Sequence, residues 1–308
     1  MLRGRCRGAE NKPIELDQPS VAFAKEGRGN ARESNDMMRL MGAALAAVSL
    51  AASAAADDGN TLKVSGYGSF DIASGYVLYG ARSTKEPCYW TYGEVSLSYG
   101  DWGSLAAGFW QNTDMTTRRK ASMRRMNEWD WGVAYRGGIE IAEGWRVKFS
   151  VGHVWYVYHG LAPAAAPFYH TMEEWTASVR LENPYVVPFI EGYYDHGVCK
   201  GAFWRGGLKR EFALPFGFTL TPEFVIGGGT RNYNRVMYPP YDDSVGGCVT
   251  YAELEWTLAY WFNEHFGVHA KIAYAVLTDD EIRDAVKAAD SDVANQHVWG
   301  QLGMEFAF

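Results

Sequence analysis

From residue 62 to the end of the chain, apolar and polar residues alternate with a period of two. Trp145, Val147, Phe149, Val151, Trp155 and Val157 share one face of a segment whose other face carries Arg146, Lys148, Ser150 and Gly152. Ala252, Leu254, Trp256, Leu258, Tyr260 and Phe262 oppose Glu253, Glu255, Thr257 and Ala259. Val268, Ala270, Ile272, Tyr274 and Val276 oppose His269, Lys271 and Ala273. A period of two marks strands whose two faces meet different surroundings. Twelve such segments are predicted, at 62–79, 88–100, 103–113, 128–142, 145–158, 173–182, 185–195, 201–214, 216–227, 247–262, 266–277 and 297–308. The last keeps its alternation to the terminal carboxylate and ends on Phe308. The weakest is 185–195, where Pro188 is expected to introduce a bend or bulge.

Alternation alone fits a soluble sandwich as well as a membrane barrel, and the connections separate the two. Every second link is tight: Asp101-Trp102, Glu143-Gly144, Asn183-Pro184, Pro215 and Asn263-Glu264-His265. The others, at 80–87, 114–127, 159–172, 196–200, 228–246 and 278–296, are mostly long. Strictly alternating short and long links, an even strand number and strands of about ten residues describe an antiparallel outer-membrane barrel. The expected fold is therefore all-β, an up-and-down transmembrane β-barrel of about 12 strands spanning 57–308, with both termini on the short-turn, periplasmic side. Closure explains the regular last strand, because in a barrel it pairs with the first and has no free edge.

Composition agrees. The 308 residues include 12 Trp, 19 Tyr, 15 Phe and 34 Gly. Trp102, Trp145, Tyr185, Phe216 and Phe266 flank the short turns. Trp110, Trp129, Trp155, Tyr158, Trp175, Trp204 and Trp299 fall toward the long-loop ends, so both sets are expected to form interface girdles. At the other end of the chain, a basic start at Met37-Met38-Arg39 leads into an apolar run ending in Ala54-Ala55-Ala56. Residues 37–56 thus read as a secretory signal peptide cleaved after Ala56. Residues 1–36 have no apolar period and read as disordered, upstream of a translation start expected at Met37 or Met38.

The chain has 29 basic and 36 acidic residues, of which eight and six precede Asp57, leaving the mature part 21 and 30 and a net charge of −9. That balance argues against nucleic acid as a partner. Cys88, Cys199 and Cys248 remain after cleavage, all at long-loop ends, so one disulfide is conceivable and at least one thiol is left over.

If the apolar set faces lipid, charges of both signs line the interior. Arg136, Arg146, Lys148, Arg180, Glu253, Glu255 and Lys271 are the expected pore-lining residues. They either brace the wall through ion pairs or surround a water-filled path. About eight strands leave an interior filled by side chains and about 16 to 18 leave an open channel. Twelve lie between, so a conducting pore and a largely plugged barrel both remain open. Arg118, Arg119, Lys120, Arg124 and Arg125 make one long loop basic. It would either draw anionic solutes to the mouth or, the blander reading, contact anionic lipid sugars outside.

No cofactor is expected. Asp279, Asp280, Asp290 and Asp292 lack the central glycine of a calcium loop, so no metal is expected either; their segment leaves room for a short helix. A membrane-rim hydrolase would need a Ser and a His together. The outward-facing His153 has Trp129, Trp131, Trp175 and Ala177 around it and no Ser, so a polar interfacial role is expected and catalysis is not.

Three stretches, SGYVLYG at 74–80, YGEVSLSYGDWGSLAAGFWQN at 92–112 and NEWDWGVAY at 127–135, resemble the TorF-type family of small outer-membrane porins. The resemblance covers about the first third of the mature chain and implies a porin role. It transfers no binding residue. A terminal apolar strand ending in Phe308 also resembles the signal that the barrel assembly machinery reads. The expected partners are that machinery, outer-membrane lipid and lipopolysaccharide.

Overall fold

The structure, a computed structural model, describes residues 62–84, 87–100, 103–115, 127–159, 171–238, 245–289 and 296–308. The signal segment and the loop with Arg118, Arg119, Lys120, Arg124 and Arg125 lie outside the described residues.

Twelve long strands follow one another around a ring: β1 (Leu62–Ala73), β2 (Cys88–Tyr99), β3 (Ser104–Asp114), β4 (Asn127–Ala142), β5 (Trp145–His159), β6 (Thr171–Glu182), β7 (Val187–Asp195), β8 (Gly201–Lys209), β9 (Phe218–Gly229), β10 (Cys248–Trp261), β11 (Phe266–Leu277) and β12 (Gln296–Ala307). Each pairs antiparallel with its chain neighbours, and β1 also pairs with β12, so the sheet closes. The expected twelve-stranded up-and-down barrel is the observed fold. Closure leaves no unpaired edge.

The turns show why the short links hold. Asn183 Oδ1 accepts the N–H groups of Tyr185 and Val186 at 2.9 and 3.0 Å, and Asn263 Oδ1 does the same for His265 and Phe266 at 2.8 and 2.9 Å. Side-chain oxygens that imitate a backbone acceptor stabilise such reversals.

The two faces of the wall are unlike. Leu105, Ile139, Val298 and Leu302 stand 58–68% exposed on the outside, whereas Asp71, Glu174 and Gln301 are buried inside. This is apolar-out, polar-in alternation, the reverse of a soluble core. At the short-turn rim Phe218, Tyr260, Phe262, Phe266 and Phe306 follow one another with ring centroids 5.0–5.4 Å apart. Trp145 and Tyr185 extend that girdle. Trp155, Trp175 and Trp204 are exposed on the outer wall toward the long loops.

Several expectations need correction. The segment 62–79 is not one strand: β1 stops at Ala73, and Tyr76–Leu78 then pairs with Ala81–Thr84 in a separate hairpin. The segment 201–214 stops at Lys209, with Phe212–Ala213 added to β9 as a two-residue extension. Pro188 makes no bulge, because β7 and β8 stay in register through it. The register shifts fall instead at Glu140/Ala142 and Gly227/Gly228. Trp110 and Trp299 are not girdle residues. Trp110 packs on Tyr76 and Trp90 in the interior, and the Trp299 indole donates to the Glu253 carboxylate at 3.1 Å.

Candidate functional site

The inside of the barrel has two halves. In the half nearer the short turns, the wall carries ion pairs between strands that are adjacent or one apart. Arg136 of β4 forms a two-point contact with Glu94 of β2, Nη2 to Oε2 at 2.5 Å and Nη1 to Oε1. It reaches across β3 because Ala106 and Gly108 occupy the positions between. A Cβ on Gly108 would come within 3.4 Å of the Glu94 Cβ. Lys148 meets Glu182 at 2.7 Å, and Arg180 reaches the same carboxylate at 3.4 Å. Arg205 pairs with Glu191 at 2.6 Å, and Lys271 with Glu255 at 2.7 Å. Arg146 lies over Gly138 and has Glu140 and Glu182 as its cross-strand neighbours.

The register puts Arg136, Arg146, Lys148, Arg180, Glu253, Glu255 and Lys271 on the same face of the wall as the buried Asp71, Glu174 and Gln301, and it sets their neighbours. Arg136, Lys148, Arg180, Arg205 and Lys271 are each held by a carboxylate on the same or a nearby strand, so among the described residues these pairs lie along the wall. Arg136, Lys148 and Arg180 keep 37–46% of their side chains exposed, so water reaches them. Charge of alternating sign therefore lines this half of the wall.

The half nearer the long loops is filled. The Tyr76–Thr84 hairpin turns at Tyr79 and Gly80, whose φ values are 49° and 78°. A non-glycine residue in this region marks a turn that its surroundings enforce. The Tyr79 ring crosses from the end of β1 to Phe203 on β8, with 4.0 Å between ring centroids, and also meets Tyr233 and Tyr251. Tyr233 belongs to α1 (Arg231–Met237), the helix that follows β9. Its hydroxyl donates to Glu174 of β6 at 2.8 Å, while Tyr156 of β5 donates to the other oxygen of that carboxylate at 2.7 Å. Tyr238 donates to the Tyr79 carbonyl at 2.8 Å. A second helix, α2 (Asp280–Ala289), is capped by Asp279, which accepts the Ile282 N–H, and adds Ile282 and Val286 to the same cluster. This is the short helix expected in that loop, and Asp279 serves as its cap. Met172, Phe203, Val225, Tyr251 and Leu277 complete an apolar, tyrosine-rich plug. Burial pushes the Tyr79 and Tyr233 phenols well above their ordinary range, so both stay neutral, and the Tyr233 hydroxyl remains the donor to Glu174.

Sequence reasoning missed two groupings. One is Asp71, His269 and Glu305, where His269 Nε2 lies 2.8 Å from Asp71 and Nδ1 lies 2.9 Å from Glu305. Inward parity gave each residue's direction and not this contact, which needs the register of β1, β12 and β11. The other, on the outer wall, joins His153 to Glu173 and His196. Of the cysteines, Cys199 is a buried thiol outside any disulfide, and Cys88 packs beside Ala73 and Tyr76.

No family model matches the sequence, and no curated protein matches it. Solved structures of outer-membrane barrels are similar in fold. The COG4313 outer membrane channel from Pseudomonas putida F1 is 10% identical with a TM-score of 0.45, covering 82% of this chain and 98% of that one. The NanC porin is 12% identical with a TM-score of 0.44, covering 79% and 99%. Outer membrane phospholipase A from Escherichia coli is 12% identical with a TM-score of 0.40, covering 80% and 94%.

Proposed function

We propose that the protein is an outer-membrane channel that admits small hydrophilic solutes through a narrow, charge-lined lumen. The observation that carries this reading is the wall-hugging arrangement of the lumen charges. Ion pairs that lie along the wall and keep water access line a path, whereas pairs that reached across would seal it. The short turns and both ends of the barrel domain then face the periplasm, and the long loops face lipopolysaccharide outside. The aromatic rims sit at the two headgroup levels. The basic loop holding Arg118, Arg119, Lys120, Arg124 and Arg125 meets the phosphates of those outer lipids. Phe308 ends the strand that the assembly machinery reads.

The test is conductance of the purified protein in planar bilayers. Small unitary steps are expected. Replacing the pair as Arg146→Glu with Lys148→Glu should shift reversal potentials toward cation preference. Unchanged selectivity would remove these two residues from the path.

The plug favours a second reading, a closed barrel that works through its loops. Glu174, Tyr233 and Tyr238 are each 1% exposed, so the plug is tightly packed at the long-loop end. A silent wild type that stays silent once Tyr79 is truncated would establish that reading instead.

A further inference from the structure

On the outer wall, at the long-loop rim, three metal-ligating side chains converge. His153 of β5, Glu173 of β6 and His196, the first residue after β7, each place a donor atom so that all lie within 4.8 Å of one another. Register produces this meeting. His153 stands opposite Trp175, and Trp175 opposite Tyr194, so three consecutive strands present outward residues at one level. The ladder continues one step past β7, where the His196 N–H donates to the Glu173 carbonyl at 3.3 Å.

The distances suit a shared cation. His153 Nε2 and His196 Nε2 are 3.1 Å apart, and His196 Nε2 is 3.6 Å from Glu173 Oε2. A tetrahedral ion with metal–nitrogen bonds of about 2.0–2.1 Å holds its donors about 3.3 Å from each other. Without an ion the two Nε2 atoms share one proton in an N–H···N hydrogen bond, and a cation that takes its place would engage both lone pairs together with the Glu173 carboxylate. His153 is 8% exposed, and its Nδ1 has no hydrogen-bond partner among the described residues. Nε2, facing His196, is thus its engaged polar atom.

The site is also held in place. The His153 ring lies 4.3 Å from the Trp155 indole and 4.8 Å, edge-on, from Trp175. Asp195, fully buried, accepts the N–H groups of Cys199, Lys200 and Glu173. That carboxylate clamps the turn carrying His196 onto the strand carrying Glu173. Glu173 and His196 keep 45% and 38% of their side chains exposed, so an ion can enter from outside the barrel.

We propose that His153, Glu173 and His196 form a binding site for a divalent cation of the zinc class. Two imidazoles and one carboxylate form a zinc set, whereas calcium and magnesium take oxygen donors. Three protein donors leave a fourth position open, which a water or an oxyanion fills. That is the coordination of exchangeable or reactive sites and not of closed structural ones.

The test is calorimetric titration of zinc chloride into the full chain, folded in detergent and stripped with chelator, alongside cobalt absorption spectra. One zinc per chain and an intense visible spectrum of tetrahedral cobalt are expected. His196→Gln and Glu173→Gln alter exposed side chains, so the wall still folds. Each should weaken zinc at least about tenfold, the lower limit for losing even a supporting partner of a metal ligand. His265→Ala, at the opposite rim, should bind as the wild type does. Absence of saturable zinc binding, or wild-type affinity in both His196→Gln and Glu173→Gln, overturns the proposal.

Discussion

Gly303 lies on β12 between two strands whose charged side chains meet directly above it. A Cβ there would stand 1.9 Å from Asp71 Oδ1 and 2.6 Å from His269 Nε2. The absent side chain is therefore what lets Asp71 on β1 and His269 on β11 close to 2.8 Å across an intervening strand. Asp71 gains two more donors, Gln301 Nε2 and the Ser69 hydroxyl, each at 2.8 Å. A low-dielectric setting makes such a network valuable when complete and costly when broken. Gly303→Ala should force the pair apart and destabilise the barrel by about 1–3 kcal/mol, the usual cost of overpacking. The measurement is the denaturant midpoint for refolding into detergent. Gly192→Ala serves as the control, because a Cβ there meets nothing within 4 Å. Equal midpoints for the two variants would show that the charge cluster does not need the space.

Among the elements, the plug and the wall follow opposite rules. The wall turns apolar side chains outward, while the hairpin, α1 and α2 bury theirs against inward positions of the strands. Tyr79 connects the two systems through Phe203, Tyr233 and Tyr251, so Tyr79→Ala should loosen the plug and leave the twelve ladders intact. Larger unitary conductance with an unchanged far-ultraviolet strand signal is expected. The same division explains what could be read in advance. All twelve strands were visible because lipid on one side and water on the other impose alternation, and Asn or Gly punctuates the short turns. Alternation fades where the plug makes inward positions apolar as well, as at Tyr251, Ala273, Ala275 and Leu277. For the same reason the alternation runs on past Ala73, and it does not separate the interior Trp110 and Trp299 from girdle residues. Lumen charges were legible by parity, but not their pairing. His153 and His196 are 43 residues apart, and only the register of β5, β6 and β7 joins them.

For the molecule as a whole, the seam that closes the barrel runs out to Phe308. Phe308 N–H donates to the Gly66 carbonyl at 3.0 Å, and Gly66 N–H donates to the Phe308 carbonyl at 2.9 Å, so the β1–β12 ladder runs to the terminus. The aromatic ring lies over Gly66, where a Cβ would come within 2.2 Å of it. Yet the ring remains 70% exposed on the outer wall. Backbone pairing does not require an aromatic side chain, and so exposed a ring contributes little to stability. Phe308→Ala should accordingly refold in detergent with stability within about 0.5 kcal/mol of the wild type, as for ordinary surface changes. In cells, by contrast, its outer-membrane level should fall several-fold if, as proposed, the assembly machinery reads the terminal strand. Matched loss in both settings would make Phe308 a structural residue. Loss in cells alone would identify the exposed ring as a recognition element.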